Sequence, residues 1–166
     1  DMQRQMLLAE GRSLRDSVRF SVITDASSGM KIGIPLRVTE KKEPFEANGL
    51  KGTRYRSNDG ALALDVAAWP VTMQSLDQFL AQGLAVKPNR KVTYRLQRPD
   101  FIVMSGEENG RTFYTRAALH GGAVRGFTFS YPAARKGDFE RVMLAIANSF
   151  DPFPGTAVAQ PSNLQP

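Results

Sequence analysis

Alternation of apolar and polar positions dominates the middle of this chain, and it predicts strands. In "VRFSVI", Val18, Phe20 and Val22 share one side, the pattern of a half-buried strand. "GMKIGIPLRV" continues with Met30, Ile32 and Ile34 before Pro35, which confines that strand to an edge or ends it. "TEKKEPFEANG" is polar and reads as a connection. "GTRYRSNDGALALDVAAW" then holds two alternating runs around Asp59-Gly60, a pair favoured where both centres of a two-residue hairpin turn need positive φ. That turn sets Tyr55 opposite Leu64 and Arg54 opposite Asp65, so apolar residues share one face and charges meet on the other. Ala61, Ala63 and Ala67 leave room for close packing on the second face, which predicts a helix on each side of the sheet.

The period lengthens in "TMQSLDQFLAQGLAVKP". Ser75 and Gln78 form a capping box, Leu76, Phe79, Leu80 and Leu84 form the buried stripe, and Gly83 and Pro88 mark the end. "KVTYRLQRPD", "FIVMSG" and "RTFYTRAALH" return to strand character, the last two joined by the turn "EENG". "KGDFERVMLAIANSF" closes with Phe139, Val142, Met143 and Ile146 at helical spacing and Asp138 as the expected N-cap. Two registers fit the strands around "HGG". A Gly121-Gly122 turn sets Arg116 against Phe127 and Thr112 against Tyr131. A three-residue loop, His120 to Gly122, sets Phe113 against Phe129 and Leu119 against Ala123. The second gathers more apolar residues on one face and is the expected register.

These elements predict an α+β fold, an antiparallel β-sheet sandwiched between helices. Residues 1–17 read as an N-terminal helix or linker, 18–153 as one domain, and 154–166 as a disordered tail or interdomain linker rich in Pro, Gly, Ser, Gln and Asn. With 166 residues the chain can bury one good core. A net charge of +6 draws the surface toward anions. No stretch approaches the ~20 apolar residues of a membrane span. The chain opens on Asp1 without a signal peptide, which predicts an excised domain or a mature exported protein.

Candidate chemistry is sparse. With 0 cysteines there is no disulfide, thiol nucleophile or thiolate metal site, and the 1 histidine has no second histidine with which to share a metal. His120 is expected at a loop tip, as a turn residue. Glu107-Glu108 falls in a turn with nothing to raise a carboxylate pKa. Neither a nucleophile elbow, nor a Walker loop, nor a dinucleotide glycine fingerprint occurs. Trp69 reads as a packing anchor. No catalytic residue, cofactor or metal is expected. What remains is a set of strand-borne basic residues. Arg54, Arg56 and Arg116, with Tyr114, fall opposite the apolar faces and form the candidate binding surface, able to hold phosphate or stack on a base or sugar. Replacing Arg54, Arg56 and Arg116 together with alanine is expected to leave folding nearly intact. A solvated face with local pairs such as Arg54–Asp65 is the plainer reading.

Three segments, "GMKIGIP", "RTFYTRAALHGGAVRGFTFSYP" and "FERVMLAIANSF" with its final Ser149-Phe150, give an order that resembles the PsbP-like fold. That family includes lumenal photosystem subunits, bacterial exported proteins and a Ran-binding import factor. The acidic and histidine metal ligands of some photosystem members have no counterpart here, so no metal site carries over. The resemblance implies a non-catalytic docking role. The expected function is therefore an interaction module of a larger exported, periplasmic bacterial protein, its partner another protein or flanking domains of the same chain. The alternative is an anion binder for nucleic acid or an acidic glycan, and a second alternative is a hydrolase, which would need a concave pocket with converging titratable groups.

Overall fold

In the computed structural model, which describes residues 19–155 except 27, 48–49 and 70–86, the alternating segments form two antiparallel sheets. β1 (Phe20–Thr24) pairs with β2 (Lys31–Pro35) as a two-stranded ribbon. The main sheet is built from β3 (Lys41–Ala47), β4 (Leu50–Arg56), β5 (Ala63–Trp69), β6 (Arg90–Arg98), β7 (Phe101–Glu108), β8 (Arg111–His120) and β9 (Ala123–Pro132). Its spatial order is β3-β4-β5-β9-β8-β7-β6. Helix α1 (Lys136–Ser149) lies on one face, giving an α+β architecture. The expected capping-box helix around Ser75, the N-terminal segment 1–17 and the tail past residue 155 lie outside the described residues.

The closing helix follows its stripe. Phe139, Val142, Met143 and Ile146 are buried against the sheet. Tyr131 meets Phe139 at 5.8 Å, and Phe127 meets Phe150 edge-on at 4.9 Å. Such pairs contribute ~0.5–1.5 kcal/mol each beyond their area. Asp138, expected as the N-cap, instead sits in the first turn, where its carboxylate takes the Arg135 guanidinium at 3.1 Å. β2 runs along the helix end. The Gly33 N–H donates to Ser149 Oγ at 2.8 Å, and that hydroxyl donates to the Ile146 carbonyl at 2.7 Å. Thus the "GIP" and "NSF" segments that carried the family resemblance touch each other.

Several local expectations change. Val22 is 68% exposed and Ile23 packs toward the core, so β1 buries the opposite side from the one its alternation suggested. "TEKKEPFEANG" is not a connection: Lys41–Ala47 is the edge strand β3, and its Lys, Glu and Pro residues suit an edge that must not recruit another strand. The Asp59-Gly60 hairpin keeps its register, with Tyr55 opposite Leu64 and Arg54 opposite Asp65. Its turn is longer, however. The Gly60 N–H bonds the Ser57 carbonyl at 2.9 Å, and only Gly60 of the pair has positive φ, at 72°. The Asp59 carboxylate instead accepts from Ser57 Oγ at 2.6 Å and from the Ala61 N–H at 2.9 Å, which lowers its pKa. The turn after β7 is Asn109-Gly110, both at positive φ (52° and 78°), so Glu107 and Glu108 belong to the strand.

Candidate functional site

The strands around His120 join through Gly121-Gly122, both at positive φ, with His120 opposite Ala123 and Leu119 opposite Val124. The three-residue loop is therefore wrong by one position, and one position inverts every side chain. Arg116 stands opposite Phe127 and Tyr114 opposite Phe129, on the face covered by α1. Arg116 is 1% exposed and Tyr114 is fully buried. The expected single surface of Arg54, Arg56, Tyr114 and Arg116 does not exist, because the two pairs lie on opposite faces of the sheet.

The Arg116 site is explicable as structure. Its Nη1 donates to the Ala147 carbonyl at 3.2 Å. That carbonyl is among the last four of α1, which have no partner within the helix and sit at its negative end. A cation there adds to the 3.3 Å bond that the Phe150 N–H makes to the same carbonyl and complements the helix dipole. Its guanidinium also lies 5.6 Å from the centre of the Tyr114 ring. Burial lowers the Arg116 pKa and pushes the Tyr114 hydroxyl up to about 12. Arg125 acts similarly just beyond the helix, donating to the Pro152 carbonyl at 2.9 Å with its guanidinium over Phe153. His120 places its ring 5.3 Å from the same Phe153 and is exposed.

The other face gathers the polar chemistry. Among the described residues it carries Lys41, Arg54, Arg56, Arg90, Arg95 and Arg111 against Glu43, Asp65 and Glu108. Arg90 and Arg95 share this face despite their odd spacing because β6 has a bulge between Val92 and Tyr94. The bulge brings the Lys91 carbonyl to where a Cβ on Gly106 would sit, so only glycine fits there. Asp65 accepts from Arg56 Nη1 at 2.8 Å and lies 3.9 Å from Arg54 Nε. Arg54 also stacks over Phe45 at 4.7 Å.

Between these strands lies a cavity of about 460 Å³, with Asp65, Arg90, Glu108, Arg111, Phe113 and Thr128 among its walls. Arg90 pairs with Glu108 at 3.1 Å and rests over the Phe113 ring at 4.3 Å. Arg111 Nη2 donates to the carbonyls of Ala61 (2.7 Å) and Ser130 (3.0 Å). Burial, and then the like charge of Arg56, lower the Arg111 pKa. Thr115 and Thr128 share a hydrogen bond of 2.8 Å on the floor. Next to the polar strip, Ile102, Met104, Ala117 and Val124 form a small buried apolar cluster. The expected arginine pair, Arg54 and Arg56, does lie on this face. Arg90, Arg111 and the hydroxyl residues were missed, and the two-residue glycine turn would have put Arg111, Phe113 and Thr115 beside Thr128, Ser130 and Asp65.

Among the described residues, no group of three His, Asp or Glu side chains could hold a metal ion. Likewise, no helix is long and apolar enough to cross a membrane.

No protein-family model and no curated protein matches the sequence. Among solved structures the chain is similar to the solution structure of cyanobacterial PsbP (CyanoP) from Synechocystis sp. PCC 6803. The TM-score is 0.57 at 12% sequence identity, over 82% of this chain and 94% of that chain. At that identity the likeness is one of fold, and it agrees with the strand order and closing helix described above. This chain has a PsbP-like α+β fold.

Proposed function

We propose that the chain is a non-catalytic interaction module of a larger exported protein, and that it docks an acidic partner on the arginine-bearing face of its sheet. The observation that carries this reading is the clustering of Arg54, Arg56, Arg90, Arg95 and Arg111 on one face, where Arg90 and Arg111 line a cavity of about 460 Å³. Burial and the like charge of Arg56 raise Arg111's cost of carrying charge, which an incoming carboxylate or phosphate relieves. Guanidinium forks suit planar oxyanions. The exported location rests on the PsbP-like fold.

A binding role fits this geometry better than hydrolysis. Asp65 is engaged by Arg56, and Glu108 by Arg90. Both carboxylates already serve as acceptors for the arginines beside them.

The test is a salt titration of binding to poly-L-glutamate, with heparin alongside it. Docking through the arginine face predicts binding at low salt that falls steeply as salt rises. It also predicts that Arg54→Ala with Arg56→Ala weakens binding about tenfold, on the order of one charge-assisted hydrogen bond. Absence of binding at low salt, or affinity unchanged in the double variant, removes the reading. Heparin bound in preference to polyglutamate would move the partner from acidic protein to acidic glycan.

A further inference from the structure

The cavity on the arginine face holds one cation that no carboxylate answers. Arg54 and Arg56 lie against Asp65, and Arg90 pairs with Glu108. Arg111 lines the same cavity and, among the described residues, has no ion pair. Its partners are neutral dipoles. Nη2 donates to the carbonyls of Ala61 and Ser130, Nε to Ser130 Oγ at 3.4 Å, and Nη1 to the Gly60 carbonyl at 3.4 Å. These bonds hold the guanidinium fork in place without cancelling its charge, and one N–H of Nη1 is left with no acceptor. Burial and the like charge of Arg56 make that charge costly to keep, and they lower its pKa.

Hydroxyl protons beside it also lack an acceptor. Ser130 Oγ accepts from Arg111, and its own O–H donates to no group among the described residues. Thr115 and Thr128 share a single hydrogen bond, so whichever donates, the other's proton is left over. Arg111, Thr128 and Ser130 are half-buried and line the cavity, so a ligand inside it meets them. A cation and hydroxyl donors without acceptors call for an oxyanion. Asp65 and Glu108 flank the place, and their repulsion admits a monoanion more readily than a doubly charged phosphate. A planar carboxylate also matches the edge of a guanidinium. Met104 and Phe113, buried in the same walls, offer apolar surface to whatever carries that carboxylate.

We infer, resting on the reading of the arginine face as a binding surface, that its cavity takes a single carboxylate on a short apolar stem, seated on Arg111, Ser130 and Thr128. A small free acid has this chemistry, and so does the glutamate side chain of a docked protein.

The experiment is two-dimensional amide NMR of the whole chain, titrated with butyrate, with butyramide as the uncharged control and inorganic phosphate, at slightly alkaline pH, as the dianion. Butyrate should shift the amides of Arg111, Thr128 and Ser130, butyramide should not, and phosphate should bind more weakly than butyrate. Arg111→Lys keeps the charge but loses the fork and should weaken butyrate about tenfold. Ser130→Ala should weaken it about threefold or more, the value of roughly one hydrogen bond, and it carries the test if the lysine variant does not fold. An unchanged spectrum away from the cavity separates lost binding from lost folding in each variant. Silence from butyrate at tens of millimolar overturns the inference. So do shifts confined to other parts of the molecule, affinity unchanged in the folded variants, or tighter binding of phosphate or butyramide. Poly-L-glutamate added to the butyrate complex distinguishes the sources. Displacement of butyrate assigns the carboxylate to a docked partner, and its retention assigns the cavity to a free acid; both uphold the site. Polyglutamate bound with butyrate silent overturns this inference and leaves the docking of an acidic partner intact, whereas butyrate bound with polyglutamate silent does the reverse.

Discussion

The contact between Gly33 and Ser149 offers the sharpest test of how the fold closes. One hydroxyl accepts the Gly33 N–H at 2.8 Å and donates to the Ile146 carbonyl at 2.7 Å, clamping β2 to the last turn of α1. Ser149→Ala leaves a buried backbone donor unmade, at a cost of about 1–3 kcal/mol. For a chain of this size, roughly 2–4 °C per kcal/mol, the melting temperature should fall by about 2–12 °C. Gly33→Ala attacks the same contact from the other side. Its Cβ would stand 2.9 Å from Ser149 Oγ and 3.0 Å from Ser149 Cβ, closer than side chains tolerate. Overpacking of this kind costs ~1–3 kcal/mol. In the double variant the hydroxyl that clashes is already gone, so the two losses should not add: the double should be more stable than their sum by ~0.5 kcal/mol or more. Urea unfolding of the four proteins measures the cycle. Strict additivity, or a Ser149→Ala loss below ~0.5 kcal/mol, would show that the clamp does not hold the strand.

Arg116→Ala should destabilise the domain by about 3 kcal/mol, because it removes the donor to the α1 terminus and opens a cavity, whereas Arg54→Ala should cost less than about 1 kcal/mol; chemical denaturation of the two variants compares them directly. Tyr114 and Tyr131 are raised to about 12 from 10.0, so the folded state keeps protons that the unfolded chain gives up. Their contribution is intact below pH 10 and is lost as pH rises from 10 through about 12, by roughly 3 kcal/mol for each tyrosine. The urea midpoint should drop across that window, and less steeply in Tyr114→Phe. Gly110→Ala forces an alanine to φ near 78° and should cost ~1–2 kcal/mol, read as a lower melting temperature with the fold unchanged by circular dichroism.

Most of the scaffold could be read from the chain because its signals were local. The pairing of Tyr55 with Leu64 survived even though the Asp59-Gly60 turn took a longer form, since lengthening a loop symmetrically leaves the register alone. The stripe of α1 was legible for the same reason: Phe139, Val142, Met143 and Ile146 face one way at helical spacing whatever they pack against. β3 was not legible. A strand with Lys41, Lys42, Glu43, Pro44 and Glu46 has no apolar face to announce it, and it exists because β4 offers a free edge.

The binding surface failed at a single residue of register, and the reason is physical. β8 is buried on both faces: Phe113 and Ala117 face one way, Tyr114, Arg116 and Ala118 the other. Apolar pattern cannot choose between registers in such a strand, because either choice gathers apolar residues somewhere. The information lay in the turn. Two consecutive glycines supply two positive φ values at no steric cost, which is the requirement of a two-residue hairpin, whereas a three-residue loop needs only one. Had that weighed more than the count of apolar partners, Arg116 would have fallen on the helix side and Arg111, Thr115 and Ser130 beside Arg56 and Asp65. The buried arginine then follows from the negative helix end above it, which a cation complements, and the other arginines follow from the face that α1 does not cover. Where a strand is buried on both faces, turn chemistry rather than hydrophobic pattern decides to which face its charged residues go.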